Sequence, residues 1–583
     1  MKKISIIGLF LSLVGLAIYS CKQDFLERTP PGSLSAVTLA NKKGAEALLI
    51  GAYSVLDGFI AGGGVFLGGW QSSGTNWVYG SVIGGEAHKG SDAGDQPDIN
   101  PIERFEHTAV NDYFNLKWQI CYEGINRVNN ALRALAGATD ATDADKKRIT
   151  GEARFLRGHY HFELKKMFNK VPYIDEAVTD PNAPNEADIW PQIEADLKFA
   201  YDNLPEMMDA KGRANKWAAG ALYGKALLFQ KKFAEAKTVL NDVYTRGVNA
   251  QGVKYKLLAK YQDNFNAETK NSTESVFAVQ YSVNDGAADA ANGGWGEVLN
   301  FPYNGGPGGC CGFFQPSQDF VNSFQVDAAT GLPNLTNHNA TEVKSDQGLK
   351  STDPFAPETR PLDARLDWAV GRRGIAYLDW GPHPGFAWIR DQPYSGPYAP
   401  KKNVYYKSQQ GSLTDKSFWT SGVTANNYTL IRFADVILML AEAEIEAGSL
   451  GTAKDLVNMV RARVADPVSW VKDSTGASAA NYKVGLYTTF TDQVTARNAL
   501  RFERKLELGM EGHRFFDLVR WGIAATELNR YLTYSSTQAA NKRNYLVGAT
   551  FKPNKSEYFP IPQTQIDLSA AGGTPKLKQN PGY

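Results

Sequence analysis

Four cysteines in 583 residues are too few for a disulfide scaffold. Charge of one sign is also missing. The 62 Lys and Arg nearly cancel the 61 Asp and Glu, and neither sign gathers into a block. That excludes the electrostatic footprint of a nucleic-acid binder. After the first twenty residues no apolar run is long enough to span a bilayer. No G-x-S-x-G is present, which removes the nucleophile elbow. Gly220 to Lys225 mimics part of a P-loop, but the spacing is wrong, no Ser or Thr follows the Lys, and the setting is helical. His159 and His161 stand two apart in a helical run, on different faces, and make a poor metal pair. Asp92, Asp95 and Asp98 share a Gly-bearing loop whose spacing misses that of an EF-hand; structural Ca²⁺ stays unassigned. No catalytic residue, metal site or cofactor is therefore expected. Glu442, Glu444 and Glu446, like Glu503, Glu507 and Glu511, are interleaved with Lys and Arg at helical spacing and read as a solvated or salt-bridged face. Asp363 and Asp367 remain as a loop pair to weigh against a glycosidase's two carboxyls.

What is present begins at the N-terminus. Lys2 and Lys3 precede an apolar run from Ile4 to Tyr19, then Ser20 and Cys21. The run is short for a membrane span, and the A-x-A-like end of an ordinary secretion signal is missing. Ile18-Tyr19-Ser20-Cys21 instead resembles a lipobox with a bulky Tyr19. Residues 1–20 are read as a lipoprotein signal peptide, Cys21 as the acylated residue and 21–35 as a tether. Stable anchoring there needs more than one acyl chain.

The remainder is globular, at 43% hydrophobic and 21% charged. Helical patterns cover Ala36 to Leu56, Tyr113 to Leu135, Lys146 to Phe168 and Asp188 to Leu204. Gly58 to Asn100 has little period and reads as aromatic-bearing loops. Lys216 to Tyr244 forms a helix pair broken near Lys231–Lys232. Its second helix carries an apolar face at Ala236, Val239, Leu240, Val243 and Tyr244. A second pair runs from Ile431 to Val464. The two superpose at a constant offset: Gly224 on Ala441, Phe233 on Leu450, Ala236 on Ala453, Leu240 on Val457, Val243 on Val460. This is tetratricopeptide-like spacing, interrupted by a long insertion. The expected fold is mainly α. It has an N-terminal helical scaffold at 36–246 with the loop insertion 58–100, an irregular subdomain with short β elements at 247–427, and a C-terminal helical part at 428–583.

The irregular part holds function more readily than the scaffold, because long loops are seldom neutral. It is rich in aromatics beside Gly, amides and Arg. Flat rings contact the C–H faces of sugars, and Asn, Gln and Arg bond their hydroxyls. The expected glycan-binding residues are Asn76, Trp77, Tyr79, Trp295, Tyr303, Trp388 and Arg390. Cys310 and Cys311 are adjacent, so they form a strained bridge in a Gly-rich loop, or stay two free thiols, or one of them pairs with Cys121. Cys121 itself reads as a buried core thiol.

Several motifs then resemble one family in the right order. They are CKQDFLERTPPGSL from Cys21, ARFLRGHYHFELKKMFNKVP from Ala153, IRFADVILMLAEA from Ile431, RFERKLELGMEGHRFFDLVRWG from Arg501, and PIPQTQID…LKQNPGY from Pro560 to Tyr583. Together these are similar to the SusD/RagB outer-membrane lipoproteins, nutrient-binding partners of SusC-type TonB-dependent transporters. His159, His161 and Asn169 depart from the family's usual aromatics and Gly. The resemblance implies a helical scaffold with tetratricopeptide-like pairs, no catalysis, an outer-membrane lipid anchor facing the exterior, and lid-like docking on a transporter barrel. Glu503, Arg504, Glu507, Glu511, Arg514, Asp517 and Arg520 are expected to form a structural helix-end charge network. The function expected is capture of glycan for a SusC-like transporter. The rivals are peptide cargo in the same role, a surface glycoside hydrolase, and a purely structural helical scaffold.

Overall fold

A computed structural model describes residues 36–62, 65–178 and 180–583. Cys21, its lipobox and the tether lie outside the described residues. The scaffold is a series of antiparallel helices. They are α1 (Lys42–Tyr53), α2 (Asp112–Ala136), α3 (Asp143–Phe168), α4 (Trp190–Asn203), α5 (Lys216–Phe229), α6 (Phe233–Arg246), α7 (Phe433–Ala447), α8 (Leu450–Ala465) and α9 (Gln493–Leu508). From α2 to α8 each helix packs on the next; α9 packs across α7 and α8.

Local sequence sets the helix starts. Thr142 and Asp145 make a reciprocal capping box at α3, and Asn215, Ser449 and Asp492 accept backbone N–H bonds at α5, α8 and α9. Each such cap contributes about 1 kcal/mol. Small residues let the helices close up. A Cβ on Gly224 would sit 2.6 Å from the Leu240 side chain, and one on Gly124 would enter the Tyr160 ring. Ala236, Leu240 and Val243 are buried as their spacing predicts.

The two helix pairs, about 190 residues apart in sequence, are stacked in space. Helix α6 lies directly on α7. The Tyr244 and Phe433 rings are parallel at 5.9 Å, and Lys237 donates to the Ala447 carbonyl. The insertion between them leaves and returns at one place. Strand Ser275–Val279 pairs antiparallel with strand Tyr428–Arg432, which feeds straight into α7. The helical row therefore continues past the insertion as if it were absent, which is how interrupted repeats keep one core.

The charges of α9 differ from expectation in one respect: the network is buried, not solvated, and reaches well beyond a helix end. Glu507 accepts from Arg365 (3.0 Å), Arg432 (2.6 Å) and Arg463. Glu503 accepts from Arg365 (2.6 Å) and Arg461 (2.7 Å), and Glu511 from Lys402 and Arg432 (2.8 Å each). Arg504 bridges Asp435 and Asp517; Arg520 bridges Asp517 and Glu442. Burial alone would raise the Glu507 carboxyl, but Arg463, Arg432 and Arg365 outweigh it and hold it well below the carboxylate range. Since Arg365 and Lys402 come from the irregular region, these pairs lock that region to the scaffold. Periodicity showed the charges on α9 but not their distant partners.

Candidate functional site

Tyr303 and Trp388, both half-buried, border the Gly-rich loop 302–312. Gly305, Gly308, Gly309 and Gly312 all have positive φ, a conformation other residues rarely take. Cys310 and Cys311 within it are joined by a disulfide. Tyr405 Oη accepts from the Gly308 N–H (2.7 Å), and Thr420 Oγ1 donates to the Gly308 carbonyl (2.7 Å). The Gly312 N–H donates to Phe301 O, and Ser91 N–H to Gly312 O. The loop is thus tied at Gly308 and Gly312 to Tyr405 and Phe301 of a separate small core that also holds Tyr377, Ile389 and Val404.

Trp388 stands at the edge of that core, half-buried. It packs edge-on against Tyr377 (5.5 Å, 81°) and His383 (5.2 Å, 83°), and its carbonyl accepts from the Tyr303 N–H (2.9 Å). Burial pushes the His383 imidazole down to about 3, so a neutral ring backs the indole. Arg390 lies over the Tyr303 ring, 5.4 Å from its centroid. Its guanidinium pairs with Asp92 (2.7 Å) and Asp95 (2.6 Å) and donates to Ser91 Oγ (2.9 Å). Asp92 also accepts from the N–H groups of Gly94 and Asp95. The result is a surface on which Tyr303, Trp388 and Arg390 come together, three of the seven residues expected from the sequence.

The other four are elsewhere, and this corrects the expectation for them. Asn76, Trp77, Tyr79 and Trp295 are buried, the three aromatics at 1% exposure each. Residues 77–82 form a single π-helical turn pressed against the backbone of Gly512, with every side chain enclosed. Trp77 meets Phe313 and Phe314 edge-on. The Tyr79 hydroxyl donates to the Gln71 carbonyl (2.6 Å) or that of Tyr113 (2.8 Å). Asn76 donates to Glu163 (2.9 Å). Trp295 stacks on Phe59 (4.9 Å), meets Phe418 edge-on (4.6 Å) and donates to the Ala290 carbonyl. None of these faces is free to stack on a sugar.

Two aromatics that the sequence did not single out are more open. Trp419 is 56% exposed and immediately precedes Thr420, which ties the Gly308 carbonyl; Phe386 is 45% exposed, two residues before Trp388. The signal for Trp419 was its setting in Lys416-Ser-Phe-Trp-Thr-Ser-Gly422, polar on both sides.

The carboxylates are otherwise engaged. Asp363 binds Arg365 through both oxygens (2.9 and 2.8 Å); Asp367 binds Arg372 (2.6 and 2.9 Å) and the Tyr482 hydroxyl (2.6 Å). Both are fully buried, and against burial the Arg365 charge keeps the Asp363 carboxyl low. Neither carboxyl is open to water. Among the described residues no cluster of three or more His, Cys, Asp or Glu is arranged to hold a metal ion.

A family model described as the SusD family matches residues 273–583, more than half of the chain. The chain belongs to the SusD family. A second model, described as starch-binding and associating with the outer membrane, matches residues 86–228. Among known relatives, SusD-like protein P2 of Formosa agariphila is 24% identical over 495 residues, 83% of each chain. Among solved structures, a laminarin binding SusD-like protein superposes with a TM-score of 0.63 at 24% identity, over 93% of this chain and 100% of that one. Surface glycan-binding protein A from Bacteroides thetaiotaomicron, in complex with laminarihexaose, gives 0.64 at 19% identity, over 92% and 99%. The mainly helical SusD scaffold expected from the sequence is the one observed. No helix among the described residues is long and apolar enough to cross a membrane.

Proposed function

We propose that this SusD-family chain is a surface glycan-binding lipoprotein. It is held to the outer membrane through lipid on Cys21, and it passes captured oligosaccharide to a SusC-like TonB-dependent transporter. The observation that carries the reading is the convergence of Tyr303, Trp388 and Arg390 on the Gly-rich loop 302–312, fixed on its own small core. Relatives of the same fold support it: one is described as laminarin binding, another was solved with laminarihexaose. Rings held rigidly at a surface suit a polar ligand that offers C–H faces and gives up little water. The work is binding, not bond breaking. Asp363 and Asp367, the loop pair a glycosidase would need, are spent on Arg365, Arg372 and Tyr482.

The test is calorimetric titration of the mature protein with plant, host and microbial oligosaccharides, each mixture then assayed for released product. Saturable heat without product is expected, and Trp388→Ala weakens the binding roughly 30-fold. Released product overturns the non-catalytic reading. Silence with every sugar and saturation with oligopeptides transfers the same role to peptide cargo.

A further inference from the structure

Arg390 lies against the Tyr303 ring, and two carboxylates and a hydroxyl take three of its five N–H donors. Lys89, beneath it, donates to the backbone carbonyls of Asp92 and Asp95 at 2.6 Å each. Two carboxylates thus flank one guanidinium, while the Lys89 ammonium is turned to backbone carbonyls. Lys407 lies across the Trp380 ring, and Asp379 accepts from its backbone N–H. A uronate or sulfate that reaches Arg390 would meet the Asp92 and Asp95 carboxylates, which already balance the guanidinium charge. Like charges set against a wrong ligand are a standard way to exclude it.

We propose that the Asp92–Arg390–Asp95 clamp restricts this site to uncharged glycans, with Arg390 serving as a rigid floor for Tyr303 and not as an anion receptor. The inference rests on the glycan-binding reading above and adds the ligand's charge class. The clamp has two effects. It fixes the guanidinium against the tyrosine ring, where cation and ring attract. It also leaves two carboxylates at the rim, 34% and 29% exposed, as a negative border.

The experiment compares one sugar in two charge states. The best neutral binder from the oligosaccharide panel, with laminarihexaose as first probe, is titrated beside the same chain oxidised at C6 to the uronate. The oxidised form is expected to bind at least about tenfold more weakly. Asp92→Asn/Asp95→Asn keeps the side-chain oxygens that cap Gly94 and Asp95, so the loop retains its turn while Arg390 is freed. In that variant the ratio is expected to shrink toward one, and the recovered uronate binding to weaken with added salt. If the wild type binds the oxidised form equally or better, and Trp388→Ala weakens that binding, the charge inference falls while the glycan site stands. An unchanged ratio in the double variant also overturns it. If neither form of any sugar binds, the glycan reading falls and the inference with it.

Discussion

Trp77 and Trp388 look alike in sequence, each in a Gly-rich aromatic stretch, yet their replacement should have opposite consequences. Trp77 is 1% exposed and wedged between Phe313 and Phe314 at centroid distances of 6.2 and 5.7 Å. A buried Trp removes up to about 250 Å² from water, worth roughly 6 kcal/mol at 25 cal/mol per Å². Measured Trp→Ala replacements in cores cost about 3–5 kcal/mol, because neighbours relax only partly. A cost of that size is a large share of an ordinary folding free energy of about 5–15 kcal/mol. The indole N–H has no hydrogen-bond partner, so Trp77→Phe forfeits volume alone and should cost less than half as much. Urea unfolding followed by circular dichroism reads the cost; glycan titration of the folded variant reads the site. Trp77→Ala should lower the urea midpoint sharply and leave the affinity of the folded fraction unchanged. A variant that unfolds like wild type but no longer binds sugar would refute the assignment of Trp77 to the core.

Trp388→Ala and Trp419→Ala should leave the urea midpoint within about 1 kcal/mol of wild type, while Trp388→Ala weakens glycan binding by about 2 kcal/mol, roughly 30-fold; equal binding by both variants would move the site. Glu507→Ala should destabilise by about 3–5 kcal/mol, because it strands Arg365, Arg432 and Arg463 in the interior; urea unfolding checks this, and a loss under 1 kcal/mol would contradict the network's role. Burial pushes the Asp57 carboxyl up to about 8, against the bond from the Phe59 N–H. The folded state then holds a proton that the unfolded chain releases near pH 4, so this group's contribution falls as pH rises from about 4 to about 8. Asp57→Asn, which keeps the acceptor, should remove that fall and gain on wild type across the window; parallel unfolding curves at each pH would contradict it. Denatured without reductant, the mature protein should show one reactive thiol, Cys121, and three after reduction; a count of three throughout would mean Cys310 and Cys311 are not bridged.

The scaffold was legible because helix packing writes itself into spacing. The matched positions Gly224/Ala441, Leu240/Val457 and Val243/Val460 announced a repeated close crossing, and α6 against α7 is where that repeat closes. The insertion's tie to the scaffold was not legible. Arg365, Lys402 and Arg432 meet Glu507 and Glu511 across 75 to 142 residues, a separation that periodicity cannot span. The site divided for a related reason. Gly-rich aromatic sequence is compatible with an exposed loop and with a buried turn, and residues 77–82 are the latter. Tyr303, Trp388 and Arg390 stay at the surface because their stretches pack on a small core. Trp419 lay in a segment whose polarity marked it as surface, but nothing local linked it to Gly308.

The central claim is that the outward face at Tyr303 and Trp388 carries the sugar. A crystal structure of the protein with the tightest-binding oligosaccharide from the panel tests it most directly. The account predicts a sugar ring against Trp388 or Tyr303 beside the loop 302–312, with Arg390 still paired to Asp92 and Asp95. Sugar bound elsewhere on the chain, with that face bare, would contradict it.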